Sequence, residues 1–138
     1  MKQEDKYLLL KDLCARLPYY LKVNINEKIE TLNVIGDDCG YYFNFLNDNE
    51  EGVTIENIKP YLFPLSSMTE EQEEEYGECF DVDLANSAKN LNDRIDGKDV
   101  INGFPMHNHI EWLNKNHFDY RGLIPKGLAI DATGLNIY

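Results

Sequence analysis

The sequence predicts a single α+β domain, and three patterns along the chain support this prediction. Residues 4–17 repeat apolar side chains at helical spacing, residues 21–58 alternate apolar and polar side chains, and a helix-capping pattern begins at residue 67. A chain of 138 residues is long enough to bury one core without disulfides or metal ions. We therefore expect residues 1–138 to form one domain. It should contain an N-terminal amphipathic helix, an antiparallel meander of about four strands, two or three further helices and an irregular, glycine-containing C-terminal segment.

The first predicted helix runs from about Glu4 to Leu17, and Pro18 ends it. Its apolar residues recur every three or four positions, which places them on one face that should be buried: Tyr7, Leu10, Cys14 and Leu17, with Leu9 and Leu13 beside them. The charged residues between them should face water: Lys6, Lys11, Asp12 and Arg16.

A meander is predicted next, because the period of the apolar residues changes from helical to twofold. The expected strands are separated by polar turns: Leu21–Asn26, Ile29–Ile35, Tyr41–Phe45 and Val53–Ile58. One face of this sheet needs a cover, and the N-terminal helix is the nearest candidate. Pro60 and Pro64 then predict an extended connector that is not a central strand.

The second half of the chain predicts helices. Ser67 with Glu70 fits a capping box at the start of one helix, with Ser67 as the cap, and Thr69 with Gln72 offers a second register. A last helix is expected from about His107 to His117, followed by at most a short strand near Leu128–Ile130. Residues 81–105 carry no clear pattern beyond a short helix at Asp83–Leu91.

The charge is concentrated in one stretch of the chain. Residues 1–28 carry six basic and four acidic residues (+2), residues 29–84 carry one and fifteen (−14), and residues 85–138 carry six and six (0), which sum to −12. Because the basic residues are few and scattered, we predict no direct binding to nucleic acid.

Composition and motifs indicate a cytoplasmic protein without a cofactor. The N-terminus lacks the hydrophobic core of a signal peptide, the apolar runs are too short to cross a membrane, and three widely spaced cysteines suggest reduced thiols. The phosphate-binding, dinucleotide-binding, nucleophile-elbow and zinc-protease motifs are absent from the sequence. We therefore predict no catalytic residue and favour a non-enzymatic function.

The acidic stretch provides the leading functional hypothesis, in which the chain binds a basic protein through the glutamates of the capped helix. These are Glu70, Glu71, Glu73, Glu74, Glu75 and Glu78. A negative surface steers basic partners and speeds association. The competing interpretation is that the glutamates form a solvated helix surface, since carboxylates are favoured near a helix N-terminus.

Two alternative functions remain open. One is a small-ligand or metal-binding protein, or an enzyme, centred on His117, Asp119, Tyr120 and Arg121, where an imidazole, a carboxylate, a phenol and a guanidinium follow the last helix. His107 and His109 are weak metal candidates beside it, because on a continuous helix they point in different directions. The other alternative is self-association, for example as a homodimer, through a sheet edge or the aromatic strand at residues 41–43.

Three segments resemble a family of small proteins from gut bacterial genomes and their prophages. They are the tail from Trp112 to Ile124 with 126–131, the helix from Lys6 to Leu17 with Pro18 and Tyr19, and residues 59–69. That family has no assigned activity, so the resemblance implies no catalytic residues. It implies a context, namely an accessory gene of a mobile element.

Overall fold

The computed structural model describes residues 1–47, 52–80 and 106–138, with the side chains of residues 77–80 and 106–109 left out. Three α-helices lie in these ranges: α1 (Gln3–Arg16), α2 (Glu70–Phe80) and α3 (Met106–Lys115). The strands are β1 (Lys22–Ile25), β2 (Lys28–Asp37), β3 (Tyr41–Phe45), β4 (Ile58–Pro64), β5 (Phe118–Asp119) and β6 (Ile130–Asp131). The helix predicted at Asp83–Leu91 lies outside the described residues.

The strands form one mixed sheet in the order β3-β2-β1-β4-β5, and β6 also pairs with β4. Strands β1 to β4 pair antiparallel, whereas β4 pairs with β5 and β6 in parallel. The predicted α+β class is therefore confirmed. The first three strands lie where the alternating pattern predicted them, but the sheet is mixed rather than a simple meander.

The fourth strand lies later in the chain than predicted, at Ile58–Pro64 instead of Val53–Ile58. Residues Ile55–Asn57 form a short 3-10 helix, and Thr54 and Asn57 form a capping box at its N-terminus. The strand begins only after this helix. The prediction that the prolines exclude a central strand is wrong, because β4 lies between β1 and β5. Strand β4 tolerates both prolines, which have no N–H to donate. The Phe63 N–H and the Leu62 carbonyl, which lie between the prolines, form its bonds to His117 and Ala132 of the C-terminal segment.

Helix α1 covers one face of the sheet, as predicted. Leu9 and Leu13 belong to the same buried cluster as Val23, Ile25 and Leu62 of the strands. The buried stripe of the helix differs from the prediction, however: Leu9, Asp12, Leu13 and Arg16. Tyr7 and Cys14, which were expected inside, are exposed.

A second cluster fixes α2 and α3 to the end of the sheet. The Trp112 ring of α3 stacks on Phe118 of β5 with centroids 5.8 Å apart, and the Tyr76 ring of α2 meets Trp112 edge-on at 5.1 Å. Leu113 and Tyr120 complete this aromatic cluster. The α2–α3 pair is thus held by close aromatic packing.

Helix α3 is shorter than predicted, because it ends at Lys115 and not at His117. His117 adopts a left-handed backbone conformation (φ 62°), and β5 starts directly after it. Within the described parts of the chain, no helix combines the length and the apolar character that crossing a bilayer requires.

Candidate functional site

Helix α2 starts in the second of the two predicted capping registers. The Thr69 hydroxyl accepts a hydrogen bond from the Gln72 N–H (3.2 Å), and the Gln72 side chain accepts one from the Thr69 N–H (3.0 Å). Ser67 does not cap the helix, since its hydroxyl donates to the Pro64 carbonyl (2.7 Å). This reciprocal pairing sets where the helix begins and therefore which residues face outward.

Five glutamates of α2 are exposed and form what we call the acidic surface: Glu70, Glu71, Glu73, Glu74 and Glu75. Tyr76 is buried and Gln72 is half-buried, so these two mark the side that packs on the fold. The helical repeat places Glu70 and Glu74 nearly opposite that side. Glu78 lies in the same helix, but its side chain is outside the described part of the chain.

Glu75 lies at the margin of the acidic surface and connects it to the core. Its carboxylate accepts a hydrogen bond from the Trp112 indole N–H at 3.2 Å. This bond satisfies the indole at the edge of the aromatic cluster and links α2 to α3. The surface therefore belongs to a helix that is fixed on the domain.

The glutamates of the acidic surface form no ion pair with any described residue. The ion pairs among the described residues join Lys6 to Glu56, Asp12 to Arg16 and to Arg121, and Asp5 to Lys126. None of them involves α2. Within this part of the chain, its negative charge is left for solvent, counterions or a partner.

A second polar region surrounds residues 117–121, and it includes two residues of α1. Asp12 is fully buried and binds two guanidinium groups: Arg16 through Nε at 2.8 Å and Arg121 through Nη1 at 2.9 Å. Arg16 also donates from Nη2 to the Phe118 carbonyl at 2.6 Å. Asp12 and Arg16 were expected to face water, and that prediction is wrong because each neutralises the charge of the other inside the fold.

Tyr120 lies close to both arginines. The Arg16 and Arg121 guanidinium carbons lie 5.1 Å and 4.6 Å from the centre of its ring, within the range of cation–π contacts. Its hydroxyl donates to the Asn114 side-chain oxygen at 2.7 Å. Burial raises the pKa of the Tyr120 phenol, which the nearby guanidiniums only partly offset.

Asp119 organises the turn after β5. One carboxylate oxygen accepts the Leu123 N–H and the other accepts the Ile124 N–H, both at 2.9 Å. Gly122, inside this turn, has a φ of 74°, which favours glycine. The Asp119 carboxylate is buried and serves the backbone of its own loop.

His117 packs its ring against Tyr138. The two rings are stacked, with centroids 3.7 Å apart and planes inclined by 13°. Burial, together with the positive charge of Arg16, lowers the pKa of His117 to about 4, so the imidazole is neutral near pH 7. Its Nδ1 and the Arg16 Nη1 are buried and have no hydrogen-bond partner among the described residues.

The structure thus brings His117, Asp119, Tyr120 and Arg121 into one region. Most of their polar atoms already form hydrogen bonds within the protein. The α1 partners of this region, Asp12 and Arg16, were not predicted, although their spacing of four residues is typical of a helical ion pair. The part played by Tyr138 was not predicted either, because no local pattern indicates its contact with His117. His107 and His109 lie in the first turn of α3, and their side chains are outside the described residues. Elsewhere in the described chain, no three side chains of the metal-binding types (His, Cys, Asp, Glu) come together.

No family model, curated protein or solved structure matches the chain. The resemblance to gut bacterial and prophage proteins therefore stays an expectation. Function has to be inferred from the two polar regions and from the remaining surface of the molecule.

Proposed function

We propose that this protein is a non-catalytic binding protein from a prophage-type accessory gene, and that its acidic surface engages a basic protein. The observation that carries the proposal is the set of five exposed glutamates on α2, with no described cation paired to them. A basic partner supplies the compensating charge that the described part of the chain lacks.

The packing of α2 on the domain also supports this proposal. Tyr76 and the Glu75–Trp112 bond fix the helix on the aromatic cluster, so the glutamates of its outer side are presented on a rigid element. Charges held on a rigid helix lose less conformational entropy on binding than charges on a mobile segment. Such a surface favours fast, salt-sensitive association.

The alternative of a ligand-binding or catalytic site at residues 117–121 has less support. Both Asp119 oxygens accept backbone N–H groups, and the Tyr120 hydroxyl is bonded to Asn114. Arg121 is bonded to Asp12. A ligand at this place would have to displace these internal bonds, and each broken bond to a buried group carries a cost.

Self-association is the second alternative, and the position of β3 favours it. This strand stands at the end of the strand order, and no described strand pairs with its outer edge. Tyr41 and Tyr42 are both exposed on it. Sedimentation at several protein concentrations tests this directly, since a dimer built on that edge should dissociate when Tyr42 is replaced by lysine.

The proposed function is tested by affinity capture with three forms of the immobilised protein. They are the natural chain, the reversal variant Glu70→Lys/Glu71→Lys/Glu74→Lys, and a control with the same change in net charge, Glu27→Lys/Glu30→Lys/Asp37→Lys, on β2 and the turn before it. Glu75 is left unchanged because it bonds Trp112. Circular dichroism and thermal unfolding first establish that all three proteins are folded.

A basic protein retained by the natural chain and by the control, but lost with the reversal variant, supports the proposal. Its retention should also fall steeply between 50 mM and 300 mM salt, because screening weakens exposed charge pairs. If every retained protein responds equally to the two charge-reversed forms, or none depends on salt, the acidic surface is not a specific binding site.

A further inference from the structure

A cavity of about 320 Å³ lies between α1, β3 and the segment that precedes β4, and its described lining shares no residue with the two polar regions above. Helix α1 contributes Lys6, Tyr7 and Leu10 to its lining, and β3 contributes Tyr41 and Phe43. Ile55 of the 3-10 helix belongs to the same lining. This volume lies at the lower end of the roughly 300–1,000 Å³ range of small-molecule sites.

The cavity has an apolar floor and an aromatic rim. Phe43 is buried, and Leu10 and Ile55 are partly buried against the main core. Tyr7 and Tyr41 line the cavity but remain 68% and 58% exposed. Both tyrosines are therefore accessible to an aromatic ring of a ligand, and aromatic pairs gain stability beyond simple area burial.

Among the described residues of the lining, Lys6 carries the charge. Its ammonium pairs with Glu56 at 2.6 Å, and both side chains are partly exposed, 34% and 47%. Lys6 lines the cavity and Glu56 does not. The Lys6 ammonium has three N–H donors, and Glu56 contacts it through the oxygen Oε1. Donors therefore remain for an acceptor on a ligand.

We propose that the cavity between α1 and β3 binds a small molecule with one aromatic ring system and one carboxylate. The ring lies on the apolar floor between Tyr7 and Tyr41, and the carboxylate bonds the Lys6 ammonium in competition with Glu56. The described residues of the lining include no carboxylate, so they provide no counterion for a cationic ligand. This site is separate from the acidic surface of α2 and does not depend on the protein-binding proposal.

The competition between the ligand and Glu56 gives the proposal a distinctive test. Phenylacetate and indole-3-acetate are titrated into the full chain, with the matched amides phenylacetamide and indole-3-acetamide as neutral controls. Dissociation constants come from ¹H–¹⁵N NMR shifts. We expect saturable shifts at residues of α1 and β3, and affinities roughly five-fold higher for the acids than for their amides, the size of a favourable exposed charge pair.

Two single substitutions should change this preference in opposite directions. Lys6→Met should bring the acid and the amide to equal affinity, whereas Glu56→Gln should bind the acid more tightly because the competing carboxylate is gone. Lys126→Met, which removes a lysine near Asp5 outside the cavity, should leave both affinities unchanged. Leu10→Trp should fill the cavity and abolish binding of acids and amides alike.

The proposal is overturned if neither acid gives saturable shifts, if the shifts map away from α1 and β3, or if acid and amide bind equally to the natural chain. A weaker affinity of Glu56→Gln for the acids would also contradict it. The two charge substitutions lie at a partly exposed pair, so they test the proposal even if Leu10→Trp fails to fold.

Discussion

Asp12 and Arg16 form a fully buried ion pair, one helical turn apart on α1, with Nε and Oδ2 separated by 2.8 Å. The pair lies on the face of the helix that packs against the fold, beside Leu9 and Leu13. Arg121 adds a second guanidinium to the same carboxylate, and the Phe118 carbonyl accepts from Arg16. One carboxylate thus joins the N-terminal helix to the loop that follows β5.

We predict that Asp12→Asn destabilises the protein by about 3 kcal/mol or more, because it leaves the buried Arg16 charge without its counterion. Urea unfolding followed by circular dichroism measures this change. Asp5→Asn is the matched control, since Asp5 and Lys126 are 4.0 Å apart and partly exposed, and its cost should stay below about 0.5 kcal/mol.

The double variant Asp12→Leu/Arg16→Met should lose less unfolding free energy than the single variants Asp12→Leu and Arg16→Met lose in sum, because it removes both buried charges together. Strict additivity in this cycle would show that the two residues do not act as a pair.

Asp119 should stabilise the turn after β5 through both carboxylate oxygens. Asp119→Asn keeps the shape of the side chain but replaces one acceptor with an NH₂ group that faces a backbone N–H, so we expect a loss of about 1–3 kcal/mol. The control is Asp131→Asn, because the exposed Asp131 accepts one backbone bond from Thr133. Equal losses in the two variants, measured by chemical unfolding, would contradict this role of Asp119.

His117 should make the stability of the protein dependent on pH. Its pKa is lowered from 6.5 to about 4 in the folded chain by burial and by Arg16, and its ring faces Tyr138. As pH falls below 6.5, the His117 imidazole is protonated in the unfolded chain but stays neutral in the folded chain until about pH 4. The free energy of unfolding therefore decreases as pH falls across this window. After allowance for the ring's partial access to solvent, the loss should be on the order of 2 kcal/mol.

The contribution of His117 is isolated by comparison with His117→Asn, in which asparagine tolerates the left-handed backbone and does not titrate. Unfolding free energies of the two proteins at pH 7.5, 6 and 5 should converge as pH falls. Parallel pH profiles would show that His117 titrates alike in the folded and unfolded chains.

Thr69 should be the residue that starts α2. We expect Thr69→Ala to destabilise the protein by about 1 kcal/mol and to speed hydrogen exchange at Gln72, whose N–H the hydroxyl accepts. Thr69→Asp keeps a capping oxygen and should retain most of the stability. The capping role is contradicted if alanine and aspartate behave alike at this position.

Local patterns in the sequence were sufficient for the elements that local physics determines. The alternation at residues 21–45 predicted β1 to β3, because strand faces depend on near neighbours. The start of α2 follows the second capping register, at Thr69, and the first register, at Ser67, was wrong. The exposure of the α2 glutamates also follows from their position around the half-buried Gln72 and the buried Tyr76.

Long-range pairing decided the features that the sequence did not predict. Asp12 and Arg16 are buried because Arg121 and Phe118, more than one hundred residues away, complete their interactions. The central position of β4 depends on parallel partners from the C-terminal segment, whose two-residue strands carry little pattern of their own. The stacking of Tyr138 on His117 likewise depends on how the C-terminal segment packs and not on a local sequence pattern.

Carboxyl footprinting of the complex tests the binding role of α2 most directly. The protein is labelled with a water-soluble carbodiimide and an amine, with and without the basic partner obtained by affinity capture, and the labelled glutamates are quantified by mass spectrometry. Glu70, Glu71 and Glu74 should lose labelling in the complex while the exposed Asp37 and Asp38 keep theirs. Unchanged labelling of α2 in a stable complex would contradict the proposal that the acidic surface is the binding site.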